Sequence, residues 1–224
     1  MATPKKGYFT ADGIKIPSVT TILGRFKESG ALIRWAYSQG VAGVELYEKR
    51  DTAADVGTYV HAMIEAFLST GEINIPAPAG MTPENIEKAA SAFSAFRSWI
   101  EGSRLKVRPL EKHFVSEVHR FGGTPDAIAD EPDGSRSLLD WKTAKAYYSD
   151  QLLQVAAYRQ LWNEVNPEAP ITGGVHIVRF GKDGGDFQHT YFPPTHRKLA
   201  AAWRMFVVLR EAYDLDKVVA GKDD

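Results

Sequence analysis

The stretch from Gly122 to Tyr158 constrains the fold more than any other part of this chain. Gly122-Gly123 reads as a turn, and Thr124-Pro125 leads Asp126 into the alternating run Ala127-Ile128-Ala129. Asp133-Gly134 is a hairpin signal, because both residue types tolerate the left-handed backbone that a tight connection needs. The second run, Ser137 to Lys142, ends in Asp140-Trp141-Lys142. Side chains alternate across a strand, so Asp140 and Lys142 share one face and Trp141 takes the other. The helix expected next carries Gln154 and Tyr158 one turn apart on a single side. Two carboxylates on paired strands, with an ammonium beside one, can hold a divalent cation next to a polarised water or phosphate.

Asp126, Asp140-Trp141-Lys142 and Gln154-x-x-x-Tyr158, in that order, resemble the PD-(D/E)XK nuclease superfamily. Within it they resemble the branch of RecB-type nuclease domains and stand-alone phage and mitochondrial exonucleases. Gly123-Thr124-Pro125-Asp126 and Asp140-Trp141-Lys142-Thr143 carry that finer likeness. An Asp-x-Lys triplet alone would mean little, since chance supplies it often; the ordered set carries the resemblance. The resemblance runs from about Pro17 to the last helix. It implies an α/β fold with a mixed central sheet flanked by helices, in the αβββαβ order of a restriction-endonuclease-like core, and a helical N-terminal portion.

The same resemblance implies a Mg²⁺- or Mn²⁺-dependent deoxyribonuclease, an exonuclease hydrolysing phosphodiester bonds in DNA processing, recombination or repair. Asp126, Asp140 and Lys142 would be catalytic. Asp126, Asp140, the main-chain carbonyl of Trp141 and His61 would hold one or two ions. Gln154, Tyr158, Thr143 and Lys145 would meet the substrate; for Lys145 a solvated loop lysine is an equal alternative. A Gly-x-x-x-His helix brings a histidine to the metal in this family, and Gly57-x-x-x-His61 matches it. Taken alone, such a histidine is more often a hydrogen-bonded, half-buried residue; the downstream carboxylates reverse that. Glu65 could ligate metal, hold the imidazole or face water. Glu111 and Glu117 are both candidates for an acidic residue on the first core strand, and spacing does not choose between them.

Composition narrows the chemistry. A chain of 224 residues can bury one sizeable core. No apolar run is long enough to cross a bilayer, and Met1-Ala2-Thr3-Pro4-Lys5-Lys6 lacks the apolar core of a signal peptide. A cytoplasmic protein, bacterial or phage-encoded and without a membrane partner, is expected. No cysteine occurs, which excludes disulfides, thiolate zinc sites, cysteine nucleophiles and a cysteine-held iron–sulfur cluster. The formal net charge is -1, so DNA must be met by a local basic patch and bound cation rather than by bulk positive charge. There is no Walker loop, no Gly-x-Ser-x-Gly elbow and no His-Glu-x-x-His pattern. Oxygen ligands with one imidazole favour Mg²⁺ or Mn²⁺ over zinc. Without a motor motif of its own, the chain is suited to work beside a recombination, annealing or helicase partner.

Along the chain, Ser18 can cap a first helix, a second spans Ala31 to Gln39, and further helix runs through Val44–Lys49 and then Asp55–Thr70. Thr82 with Pro83 starts another. Residues 1–103 therefore read as a helical portion contributing His61, and 104–224 as the nuclease core, in one compact unit overall. Arg104 to Arg108 reads as the linker, and Leu110 to His119 as the first core strand. Thr172–Phe180 and an edge strand ending near Phe192 follow, before a long last helix. The competing reading is a non-cleaving nucleic-acid-binding module or complex subunit of the same fold. Loss of Asp126, Asp140 or Lys142 would mark it, and all three are present.

Overall fold

Local rules set the order of elements in the computed structural model, which describes residues 4, 6–26, 30–43, 46–110, 112–144 and 146–221, and only the backbone at 30–32, 35, 39 and 46–54. Strands β1 (Tyr8–Phe9) and β2 (Lys15–Ile16) pair antiparallel. Ser18 then starts α1 (Val19–Arg25), its Oγ accepting the Thr21 N–H at 3.0 Å as an N-cap should. Helices α2 (Gly30–Val41) and α3 (Leu46–Thr70) follow. The expected two pieces over 44–70 are one helix from Leu46 onward. No proline interrupts that span, and its one glycine costs only about 1 kcal/mol against alanine. Helix α4 (Pro83–Gly102) begins where Thr82 accepts the Asn85 N–H.

The next elements correct the linker and the first core strand. Strand β3 (Lys106–Pro109), read as part of a linker, is the edge of the central sheet. The segment read as the first core strand instead yields β4 (Phe114–Ser116). It leaves that sheet and pairs with β5 (Phe121–Gly123). Gly122-Gly123, read as a turn, therefore lies in a strand. A Cβ on Gly122 would sit 2.1 Å from the Tyr8 ring, and one on Gly123 would sit 2.5 Å from Tyr158. Two aromatic rings close on the backbone from either side, which only glycine permits.

Strand β6 (Ala127–Asp130) and β7 (Arg136–Lys142) form the expected hairpin, with Gly134 at φ +84° and the Ser135 N–H on Asp133 Oδ1. Helix α5 (Ser149–Val165) crosses over to β8 (Gly174–Phe180), parallel to β7, and β9 (Phe187–Phe192) closes the far edge before α6 (Arg197–Val219). The central sheet runs β3-β6-β7-β8-β9 with one parallel pair. This is a mixed sheet flanked by helices, the αβββαβ core with β4 and β5 inserted between its first two strands.

Strand alternation divides the core. Leu138, Val175 and Ile177 pack with α1, α5 and α6 on one face. Leu139, Trp141, Val178 and Phe180 pack with α3 and α4 on the other, where Phe96, Trp99, Trp141 and Phe180 meet largely edge to face. Asp140 and Lys142 share the parity of Leu138 and so open toward α5.

A polar chain runs along the second face from buried Trp99 through the two histidines. Trp99 Nε1–H can only donate, so His189 Nδ1 must accept it, at 3.3 Å. His189 Nε2–H then donates to His176 Nδ1 at 2.8 Å, and His176 Nε2–H to Glu131 Oε1 at 2.8 Å. Both rings are thereby neutral, and burial holds both below the ordinary imidazole pKa. The unfolded chain takes up these protons first, so their contribution to stability is complete above about pH 6.5 and declines as pH falls. His189→Gln can keep both hydrogen bonds while removing one titrating ring. The expected result is a smaller drop in thermal midpoint between pH 7.5 and 5.5 than in wild type; an equal drop would show that His189 is not held neutral.

Candidate active site

Asp126 precedes β6 by one residue, and extending the β6–β7 register by one sets it opposite Asp140. Its carboxylate is held from two sides. The Trp141 N–H donates to Oδ2 at 2.8 Å, and Nδ1 of His61, carried in by α3, lies 3.2 Å from Oδ1. Asp140 is 1% exposed, and Lys142 Nζ stands 2.5 Å from its Oδ2. That contact is an ion pair without hydrogen-bond alignment, so Oδ2 is a buried oxygen with no aligned donor. Lys142 donates instead to Gln154 Oε1 at 3.1 Å, and Gln154 Nε2 to the Tyr158 hydroxyl at 3.1 Å. These residues line one cleft of about 170 Å³.

Burial alone would raise both carboxyls. At Asp126 the His61 ring, the Lys142 ammonium and the Trp141 N–H outweigh it and hold the group below the usual carboxylate range. At Asp140 burial wins; Lys142 offsets it in part, and the charge on Asp126 adds to it, so the group is pushed up. The two environments differ although the strands pair, and that asymmetry marks working sites. Burial also pushes the Tyr158 phenol well up, so it stays protonated and neutral.

Other expected residues fall in several places. Thr143 packs against α3, where a Cβ on Gly57 would come within 3.0 Å of its Oγ1; Gly57 thus makes room for the end of β7. Glu65 lines a narrow crevice on the far flank of the His61–Asp126 pair. Glu117 lies outside the cleft, accepting the Ala11 N–H at 2.9 Å on the exposed hairpin side. Glu111 and Lys145 lie outside the described residues. Tyr8, Ser18, Thr20 and Thr124 also line the cleft, and sequence reasoning missed them. Tyr8 reaches Thr124 Oγ1 at 2.8 Å, as does His113 Nδ1 at 2.7 Å. The available signal was the adjacent glycine pair, which implies a bulky neighbour on each side.

Residues 27–215 match the family model of the PD-(D/E)XK nuclease superfamily. The chain belongs to the PD-(D/E)XK nuclease superfamily. Among solved structures it is similar to a candidate exonuclease from Eubacterium rectale, at 13% identity and TM-score 0.45 over 75% of this chain and 69% of that one. It is also similar to SSO0001, at 12% identity and TM-score 0.31 over 70% and 74%. No curated protein matches the chain in sequence.

PD-(D/E)XK nucleases generally use divalent metal ions such as Mg²⁺, and the donors of this nuclease fit one. Among the described residues no three His, Asp or Glu side chains form a ready-made metal cage. Mg²⁺ does not need one: it is usually held by one or two carboxylates, with waters and substrate phosphate completing its shell. Asp126 and Asp140 face each other at one strand end, and Asp140 Oδ2 is buried without an aligned donor. Among the described residues no helix is long and apolar enough to cross a membrane.

Proposed function

We propose that this nuclease is a Mg²⁺- or Mn²⁺-dependent exodeoxyribonuclease of the branch that contains RecB-type domains and the phage and mitochondrial exonucleases. The observation that carries this reading is the convergence of Asp126, Asp140 and Lys142 in one narrow cleft. Residues 104–224 supply the carboxylates and lysine, and the helical residues 1–103 supply His61. Asp126, Asp140, the main-chain carbonyl of Trp141 and the His61 ring would hold one or two ions. When bound, a divalent ion polarises the scissile phosphate and lowers the pKa of the attacking water.

The chain's own groups do the rest. Lys142 orients that water and balances charge growing on the phosphate oxygens in the transition state. Gln154 fixes the ammonium and Tyr158 fixes Gln154, so neither searches for its position during reaction. Thr143 and Lys145 are proposed phosphate contacts. A recombination, annealing or helicase protein would present the strand end, since the chain has no motor motif.

End-labelled single- and double-stranded DNA, incubated with Mg²⁺ or with EDTA, tests the reading. Ends should shorten progressively in Mg²⁺, nothing should be cut in EDTA, and closed circular DNA should survive. Cutting in EDTA would overturn the metal mechanism, and cutting of circles at the linear rate would overturn the exonuclease assignment. His61→Ala should lower activity on the order of ten- to a thousand-fold, as for a ligand or a group orienting one. Full activity in that variant would remove His61 from the site.

A further inference from the structure

A cavity of about 890 Å³ lies beside the catalytic cleft and shares Tyr8 and Ser18 with it as a common wall. It is enclosed by the β1–β2 hairpin, the start of α1 and the last turns of α6. Its lining carries four cations, Lys15, Arg120, Arg210 and Lys217, against one carboxylate, Asp214. Arg210 and Asp214 pair at 2.5 Å, leaving Lys15, Arg120 and Lys217 as net positive charge in a protein whose formal net charge is -1. Arg120 has a loose partner in Asp12, at 3.6 Å, with both side chains about half exposed. Lys217 lies 5.2 Å over the Tyr213 ring, so positive charge and aromatic surface sit together.

The backbone singles out one of these residues. Arg120, at φ +52°, is the only non-glycine with positive φ among the described residues. A left-handed arginine is strained and persists only where its surroundings hold it. Arg210 does so, its Nε donating to the Arg120 carbonyl at 2.8 Å. The half-buried guanidinium thus acts as a brace, and the strained residue it braces lines the cavity.

The geometry points to this cavity as the channel for the single strand adjoining the scissile phosphate, with Lys15, Arg120 and Lys217 meeting successive phosphates and Tyr213 beside Lys217 in the wall. Cationic side chains interleaved with aromatic rings suit single-stranded nucleic acid, because charge follows the backbone and stacking tolerates any base. The shared Tyr8–Ser18 wall makes the path continuous with Asp126 and Asp140. This inference rests on the nuclease reading and adds to it where the uncut strand lies.

The test separates the two. Binding of a labelled oligothymidylate is measured in EDTA across a salt series, for wild type and for Lys15→Gln, Lys217→Gln and Arg120→Gly. The glycine variant keeps the left-handed backbone while deleting the charge, so a loss there is not a folding effect. Each variant should flatten the slope of log affinity against log salt by about 0.7, the share of one phosphate contact on a single strand. The Lys15→Gln/Lys217→Gln pair should weaken binding on the order of ten-fold or more at low salt. Cleavage of a nitrophenyl phosphodiester, too short to reach from the catalytic cleft into the channel, should be unchanged in every variant. If wild type with Mg²⁺ cleaves neither this ester nor the oligothymidylate, the nuclease reading fails, and the slopes still decide whether the channel binds the strand. Unchanged slopes, or a loss confined to blunt duplex with single-strand binding intact, would overturn the channel.

Discussion

Asp140→Asn is expected to stop turnover and at the same time to raise the thermal midpoint of the metal-free protein. Activity should fall by about a thousand-fold or more, because a ligand worth several kcal/mol of transition-state charge stabilisation is lost. The stability gain has a separate origin. Burial and the charge on Asp126 raise the folded-state pKa of Asp140 despite Lys142, so ionising it near neutral pH works against folding. A group with a raised folded-state pKa favours the folded state at low pH and loses that contribution as pH rises through it. The asparagine's advantage should therefore be largest at pH 7.5 and shrink toward acid pH, where wild-type Asp140 already holds its proton. Added Mg²⁺ should stabilise wild type by mass action and the variant much less. Thermal melts in EDTA and in Mg²⁺, at two pH values, measure all of this. A variant melting below wild type in EDTA at pH 7.5 would show that the Lys142 pair, not the carboxylate repulsion, dominates.

Lys142→Ala should separate charge at the transition state from binding in the ground state. Turnover is expected to drop on the order of a hundred- to a thousand-fold, the usual effect of removing one group aimed at developing charge. Mg²⁺ affinity should hold or tighten, since the ammonium that now sits 2.5 Å from Asp140 Oδ2 competes for that oxygen. DNA affinity should change little, because one half-buried ammonium tied to Gln154 contributes little long-range steering. Lys142→Arg should rescue poorly: a planar fork cannot occupy the place of a compact ammonium between Asp140 and Gln154. Single-turnover rates beside calorimetric metal titration read the split. If metal affinity falls as steeply as the rate, Lys142 supports the site's structure rather than its chemistry.

How much of this was legible in the chain differs from element to element. Asp133-Gly134 and the alternation on either side specified the β6–β7 hairpin, since turn chemistry and strand parity are local properties. The same parity put Asp140 and Lys142 on one face, and helical spacing put Gln154 and Tyr158 in line. Caps at Ser18 and Thr82 were equally readable, because a side-chain oxygen meeting an N–H three residues on needs no distant partner. Gly122-Gly123 was misread because the local rule for glycine pairs is a turn. The actual reason, a ring closing from each side, belongs to Tyr8 and Tyr158 far away in sequence.

Sequence by itself therefore determined the candidate set and the β6–β7–α5 order that carries most of it, because motifs, strand parity and helical spacing act over a few residues. Only the tertiary structure decided which distant groups complete the site. It brought His61 against Asp126, set Tyr8 and Thr124 in the cleft wall, and left Glu117 out at the hairpin side. It also gave two adjacent aspartates opposite pKa shifts, and it gathered three cations beside the cleft in a chain with almost no net charge. Burial and charge proximity are properties of packed space, and residues scattered from Tyr8 to Lys217 acquire them only when the sheet, α1, α3 and α6 close around one end.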